Sequence, residues 1–216
     1  MIVRMKQLLI LLLLGLWLPL GAQSLQIRDV LKQMPDSVLP YLTVNNRLDM
    51  LDFMDSKMVA EVVDALGGKS RMEVLTDSYL RIRTDSSALV EMKLLPSATV
   101  GPDSTRQTVC VVHTYGTTAQ ESQMAFYTAK WKPLTSRLTL DSYAAQLFVR
   151  PDTMAVDHFA ALVCYESSLL VSATLSPTAN TLTLHAHVPL LEADESKKIS
   201  SVLCTKVLEW NGKTFK

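Results

Sequence analysis

Ser86–Ser97 reads S-S-A-L-V-E-M-K-L-L-P-S, and 81 residues later Ser167–Thr178 reads S-S-L-L-V-S-A-T-L-S-P-T. Both fit S-S-x-L-V-x-x-x-L-x-P followed by Ser or Thr. Each is a polar turn, an extended run and a proline, which has no N–H to give to a strand ladder. In the first copy Val90, Met92 and Leu94 alternate with Glu91 and Lys93, so the two sets belong to opposite faces of a strand. A repeat at a fixed offset points to two related β units. The expected fold class is α+β: predominantly antiparallel meander sheets in two related halves, with short N-terminal helices.

Working outward, Leu80 and Ile82 alternate with Arg81 and Arg83 in a half-buried strand that Asp85-Ser86-Ser87 turns back. Gln107–Tyr115 contains V-C-V-V, apolar on both faces, and reads as a central strand. After Gly116-Thr117-Thr118, Gln123–Trp131 is the next strand. Four consecutive strands make a meander. At the repeat offset Phe159–Tyr165 aligns with Ser78–Thr84 and is expected as a strand, and Leu169–Leu175 follows. Thr181–Val188 alternates apolar and polar residues, Glu192–Leu203 has helical spacing, and Lys206–Trp210 is a last strand before the Asn211-Gly212 turn. Trp131 and Trp210 fall at matching places near the ends of the two units.

Upstream, Leu25, Ile27, Val30, Leu31 and Met34 space an amphipathic helix that Pro35 ends. Asn45 and Asn46 suit the N-cap of a second helix, with Leu48, Leu51, Met54 and Met58 as its buried stripe. Val59–Leu66 fits either a continued helix or a strand. Its valines favour a strand, with Gly67-Gly68 turning into Arg71–Leu75. The division that follows is 1–22 signal peptide, 23–57 N-terminal helical segment, 58–134 first sheet unit and 135–216 second sheet unit.

Arg4 and Lys6 precede the apolar run Leu8–Leu20, with small Gly21 and Ala22 at a cleavage position. That is a secretory signal pattern; the alternative is an uncleaved anchor. No later run is long enough to span a bilayer. Cleavage after Ala22 takes Lys+Arg from 21 to 19 against 21 Asp+Glu. A net charge of about −2 gives no electrostatic drive toward nucleic acid or an anionic surface. Cys110, Cys164 and Cys204 sit in apolar runs without any C-x-x-C spacing, and read as small hydrophobes rather than a redox or zinc motif.

The candidate site residues are few. Trp131, Trp210 and Tyr127 could stack on sugar rings, or plug cores. His185 and His187, at i and i+2 on one strand face, are a partial metal-ligand pair, or part of a polar face. Asp49, Asp52 and Asp55 read as a solvated helix face. Gly67-Gly68-Lys69-Ser70 ends like a phosphate loop but lacks the earlier glycine, and no G-x-S-x-G or G-x-G-x-x-G occurs. No catalytic residue and no cofactor are indicated.

Five segments, M-P-D-S-V-L-P-Y-L (34–42), N-N-R-L-D-M-L-D-F-M (45–54), A-L-G-G-K-S (65–70), V-E-M-K-L-L-P (90–96) and L-E-W-N-G-K-T-F (208–215), together resemble a secreted family of unknown function from Bacteroidetes-type bacteria. The resemblance implies an exported bacterial protein, periplasmic or surface-associated, and carries no catalytic residue with it. The tandem plan also resembles β-lactamase-inhibitor-like modules in architecture. The expected function is a non-catalytic binding or interaction protein whose partner is another envelope protein or a glycan. The alternative is a hydrolase or carbohydrate-processing accessory.

Overall fold

The computed structural model describes residues 25–98, 106–135, 139–189 and 191–216. The expected signal segment 1–22 lies outside them, as does most of the loop after Pro96.

Seven strands form one antiparallel sheet in sequence order: β1 (Glu61–Val63), β2 (Lys69–Leu75), β3 (Tyr79–Asp85), β4 (Ala88–Pro96), β5 (Gln107–Tyr115), β6 (Glu121–Thr128) and β7 (Pro133–Leu134). The meander expected between Tyr79 and Trp131 is its centre, and the Gly67-Gly68 turn does join two strands. Gly67 has φ +81, which glycine adopts without strain. Residue Glu73 is left out of register at a bulge between Met72 and Val74.

Both faces of this sheet are covered. On one lie helices α1 (Ile27–Lys32) and α2 (Val44–Asp55). Ile27, Val30, Leu31, Met50 and Leu51 pack there against Leu80, Ile82, Val90, Met92, Val109 and Val111. Each fully buried side chain of this size contributes about 1.5–3 kcal/mol. The cap of α2 is Thr43, not Asn45 or Asn46. The Thr43 hydroxyl accepts from the Asn46 N–H at 3.2 Å, and Asn46 Oδ1 accepts from the Thr43 N–H at 3.1 Å. This reciprocal pair contributes about 1 kcal/mol. In the helix so begun the buried positions are Arg47, Met50 and Leu51, while Leu48 and Met58 are exposed. Arg47 is tolerated inside because it donates to Leu42 O and Met34 O, both at 2.6 Å, and to Asp36 at 2.9 Å.

The other face carries a three-stranded antiparallel sheet, order β10-β9-β8, from β8 (Leu170–Leu175), β9 (Thr181–His187) and β10 (Lys206–Glu209). Val171, Ala173, Leu175, Leu182, Leu184 and Leu208 pack on Tyr79, Leu95, Cys110, Val112 and Phe126. Helices α3 (Val156–Val163) and α4 (Ala193–Ser200), with a 3₁₀ helix Leu140–Leu147, complete the C-terminal part. Phe159–Tyr165 is therefore helical, passing from α3 into the 3₁₀ turn Cys164–Ser168, and not the expected strand. Its two alanines favour helix, and a seven-residue apolar run does not distinguish the two states. The equivalence suggested by the repeat holds for strand and burial: Val90 and Val171 are each 1% exposed. It does not extend to their surroundings. Val90 faces the helices from the middle of a sheet, whereas β8 opens its own hairpin.

β8 is an edge strand, and its edge is satisfied by side chains of the large sheet. The Ser176 N–H bonds to Thr181 O, so even-numbered residues of β8 face β9 and odd-numbered ones face outward. The outward Ala173 N–H bonds to the Ser122 hydroxyl at 2.9 Å, and the Leu175 N–H to Glu91 Oε2 at 3.3 Å. Lys93 Nζ donates to Ser176 O at 2.6 Å and Pro177 O at 3.3 Å. Glu91 and Lys93, the polar set of the β4 alternation, are thus buried between sheets. The far edge of the small sheet is closed by the C-terminus, where Glu209 and Lys216 exchange backbone bonds.

Candidate functional site

The structure divides the aromatic candidates. Trp131 and Tyr127 come together on the helix side, ring centroids 5.3 Å apart. Trp131 lies past the end of β6 rather than in it, with a left-handed φ of +60 that aromatic residues seldom adopt. Its indole N–H donates to Val30 O at 2.8 Å, pinning α1 to the sheet. Trp210 belongs to the opposite face, stacked on Phe126 at 5.6 Å and edge-on to Phe215 at 5.1 Å, with its N–H on Pro96 O. The two tryptophans therefore form no common surface, and each closes a different core.

His185 and His187 share the outer face of the small sheet. His187 Nε2 pairs with the Ser172 hydroxyl at 2.9 Å. Burial, with the neighbouring His185, pulls the His187 pKa below its ordinary value and favours the neutral ring. His187 also lines a cavity of about 160 Å³ with Thr118, Ser196 and Ser200. Among the described residues, no three His, Cys, Asp or Glu side chains are placed to hold a metal ion. Asp55 instead pairs with Arg28 at 2.5 Å.

A group not singled out in the sequence lies between the sheets. The Tyr79 hydroxyl donates to Glu91 Oε1 at 2.5 Å, and Lys93 Nζ sits 5.8 Å from the Tyr79 ring centre. Burial raises the Glu91 pKa above the usual carboxylate range, while the bonds from Tyr79 and Leu175 pull it back. Burial, then the bond to Glu91, raises the Tyr79 pKa; burial lowers that of Lys93. Perturbed groups of this kind mark functional sites when a cleft reaches them. Tyr79, Glu91 and Lys93 are each 1% exposed, and their partners are the backbone of β8 and the turn after it. Their chemistry is to join two sheets.

The surface offers a different feature. Val44 and Leu48 of α2, Met58 and Val59 of the connection, Val63 of β1 and Leu66 of the following turn are all exposed, Leu66 at 82% and Val63 at 65%. α2 and β1 are in contact, tied by Asn46 Nδ2 donating to Val63 O at 3.0 Å and the Ala65 N–H donating to Tyr41 O at 2.9 Å. β1 is the outermost strand. Ala60 and Asp64 bond to Met72 and Gly68 of the β2 side, so Glu61 and Val63 turn their backbone outward. Among the described residues the Val63 N–H and Glu61 C=O have no partner. Apolar side chains here flank a partly open strand edge, the combination that most folds avoid unless something covers it. The sequence places Leu48 and Met58 in a buried stripe and Val59–Leu66 in a strand, and neither reading points to an exposed apolar region here.

No curated protein matches the chain. Among solved structures it is similar to "Structure of a domain of an uncharacterized protein from Porphyromonas gingivalis W83", at 23% identity and a TM-score of 0.70, covering 88% of this chain and 96% of that one. That likeness shows a shared fold. A family model described as "Protein of unknown function (DUF3256)" matches residues 19–215.

Proposed function

The chain belongs to this family of proteins of unknown function, and on that premise we propose that it is an exported, non-catalytic interaction protein of the bacterial envelope. The observation that carries the reading is the apolar surface of Val44, Leu48, Met58, Val59, Val63 and Leu66 beside the edge of β1. Isolated exposed apolar residues are ordinary, but six within 23 residues, on α2, the connection, β1 and its turn, are the feature that favours a protein partner. Among the described residues no helix is long and apolar enough to cross a membrane. The charged start and Leu8–Leu20 run support export to the periplasm or cell surface, where N-terminal sequencing of the native protein should begin near Gln23.

The docking surface is tested by placing a photo-crosslinking amino acid at Leu66, and in parallel at Glu195 on α4, in the native host. The same partner should be captured from Leu66 and lost with Val63→Glu, and it should be missing from Glu195. Equal capture from both positions, or capture unaffected by Val63→Glu, would sink this assignment. The alternative of a hydrolase or carbohydrate-processing accessory has one observation in its favour, the Ser172–His187 contact. Ser172 is 3% exposed, and among the described residues no carboxylate holds the other ring nitrogen of His187.

A further inference from the structure

Arg81 and Arg83 alternate on β3 with the core residues Leu80 and Ile82, so both guanidinium groups stand on the face that the small sheet covers only in part. Glu73, in the β2 bulge, reaches both of them. Its Oε1 accepts from Arg83 Nε at 2.7 Å, and its Oε2 lies 3.1 Å from Arg81 Nε. One carboxylate therefore lies between two guanidinium groups, hydrogen-bonded to Arg83 and ion-paired with Arg81, while Glu91 also acts electrostatically on Arg81. Among the described residues, the Nη atoms of neither arginine have a hydrogen-bond partner.

Both arginines line a cavity of about 140 Å³, walled also by the Ser86-Ser87 turn, Gly116, Gln120 and Thr174 of β8. A single water needs only about 10–15 Å³ of such space, so the cavity admits a group of several heavy atoms. The hydroxyls of Ser86 and Ser87 are engaged by Asp85, at 3.2 and 3.3 Å. The Gln120 carboxamide donates to Gly116 O at 3.4 Å, so the donors left for a ligand are the four Nη groups. Two guanidinium forks beside one shared carboxylate match the planar or tetrahedral oxygens of an anion.

We propose that this cavity binds the anionic head of a small ligand, a phosphate or a carboxylate, through Arg81 and Arg83. The site uses none of the residues of the apolar docking surface and stands or falls separately from it. Calorimetric titration of the mature chain at low salt, with inorganic phosphate and separately with succinate, tests it and tells the two head groups apart. At least one anion should bind at a single site. Arg81→Gln and Arg83→Gln should each weaken binding by about tenfold or more, the loss of a charge-assisted bond. Arg71→Gln serves as control: Arg71 is paired with Arg83 across the strands but does not line the cavity. It should change affinity by no more than about twofold, as a rim charge would. Thr174→Tyr, an exposed change that narrows the cavity and leaves Glu73 and both arginines in place, should also weaken binding; it decides the matter if an arginine variant fails to fold. No binding of either anion at about 10 mM, an Arg71→Gln loss equal to the others, or Thr174→Tyr binding as tightly as the parent would overturn the proposal.

Discussion

Replacing Tyr79 by Phe removes one hydroxyl and nothing else from the contact between the sheets. That hydroxyl donates to Glu91 at 2.5 Å, and among the described residues the carboxylate has one other donor, the Leu175 N–H at 3.3 Å. With Glu91 1% exposed, water does not replace the lost donor. A hydrogen bond to a charged group contributes about 1.5–3 kcal/mol, so the variant should lose about 2 kcal/mol near neutral pH. For a chain of this length that is about 4–8 °C in Tm. The loss should depend on pH in a defined sense. Burial raises the Glu91 pKa in the fold above 4.5, and the Tyr79 bond acts against that rise. The hydroxyl therefore stabilises the ionised form: its contribution is complete above the folded Glu91 pKa and shrinks as pH falls through it. Below that pKa a neutral pair remains, at about 1 kcal/mol. Urea unfolding of parent and variant at about pH 8 and at about pH 4 reads both quantities. A difference that is the same at both pH values, or under about 0.5 kcal/mol at the higher one, would refute the reasoning.

Three further outcomes follow from burial. Arg47→Met keeps the volume but strands the carbonyls of Met34 and Leu42, which the backbone cannot withdraw, so urea unfolding should show a loss of about 3 kcal/mol; exposed Asp36 simply rehydrates. The cysteines are free: Cys164 is exposed, Cys204 half-buried and Cys110 buried with its thiol pKa pushed up by desolvation. A thiol reagent followed by mass spectrometry should mark Cys164 first and Cys110 only on unfolding, and Cys110→Ala should cost about 1 kcal/mol.

Local pattern carried the strands of the large sheet, because period-two alternation, Gly67-Gly68 and the 86–87 turn act over a few residues. It did not carry what covers a face. Glu91 and Lys93 alternate correctly against Val90 and Met92, but their burial depends on β8, more than 75 residues away. In α2 the apolar spacing points to Leu48 as core, but Arg47 turns inward, where Leu42 O and Met34 O accept from it, and Leu48 turns outward. The exposed apolar residues at α2 and β1 are not legible for a related reason: helical spacing places Leu48 and Met58 in a buried stripe, and β propensity alone does not say which strand residues stay open. Arg81 and Arg83 looked like a solvated strand face, and only the bulge at Glu73 brings them under one carboxylate. The matching positions of Trp131 and Trp210 in sequence gave no hint that they lie on opposite faces.

The way β8 is tied down has a kinetic consequence. Its edge partners are separated from it by 51 residues at Ser122 and by 84 at Glu91, whereas neighbours in the large sheet follow one another in chain order. Loop closure over such distances comes late, after the local pairings already exist to receive it. The small sheet should therefore dock after the main barrier, with low φ values at Tyr79, Glu91 and Ser122. Changes at these positions would leave the folding rate nearly unaltered and appear as faster unfolding, which makes this buried contact a determinant of how long the folded protein lasts.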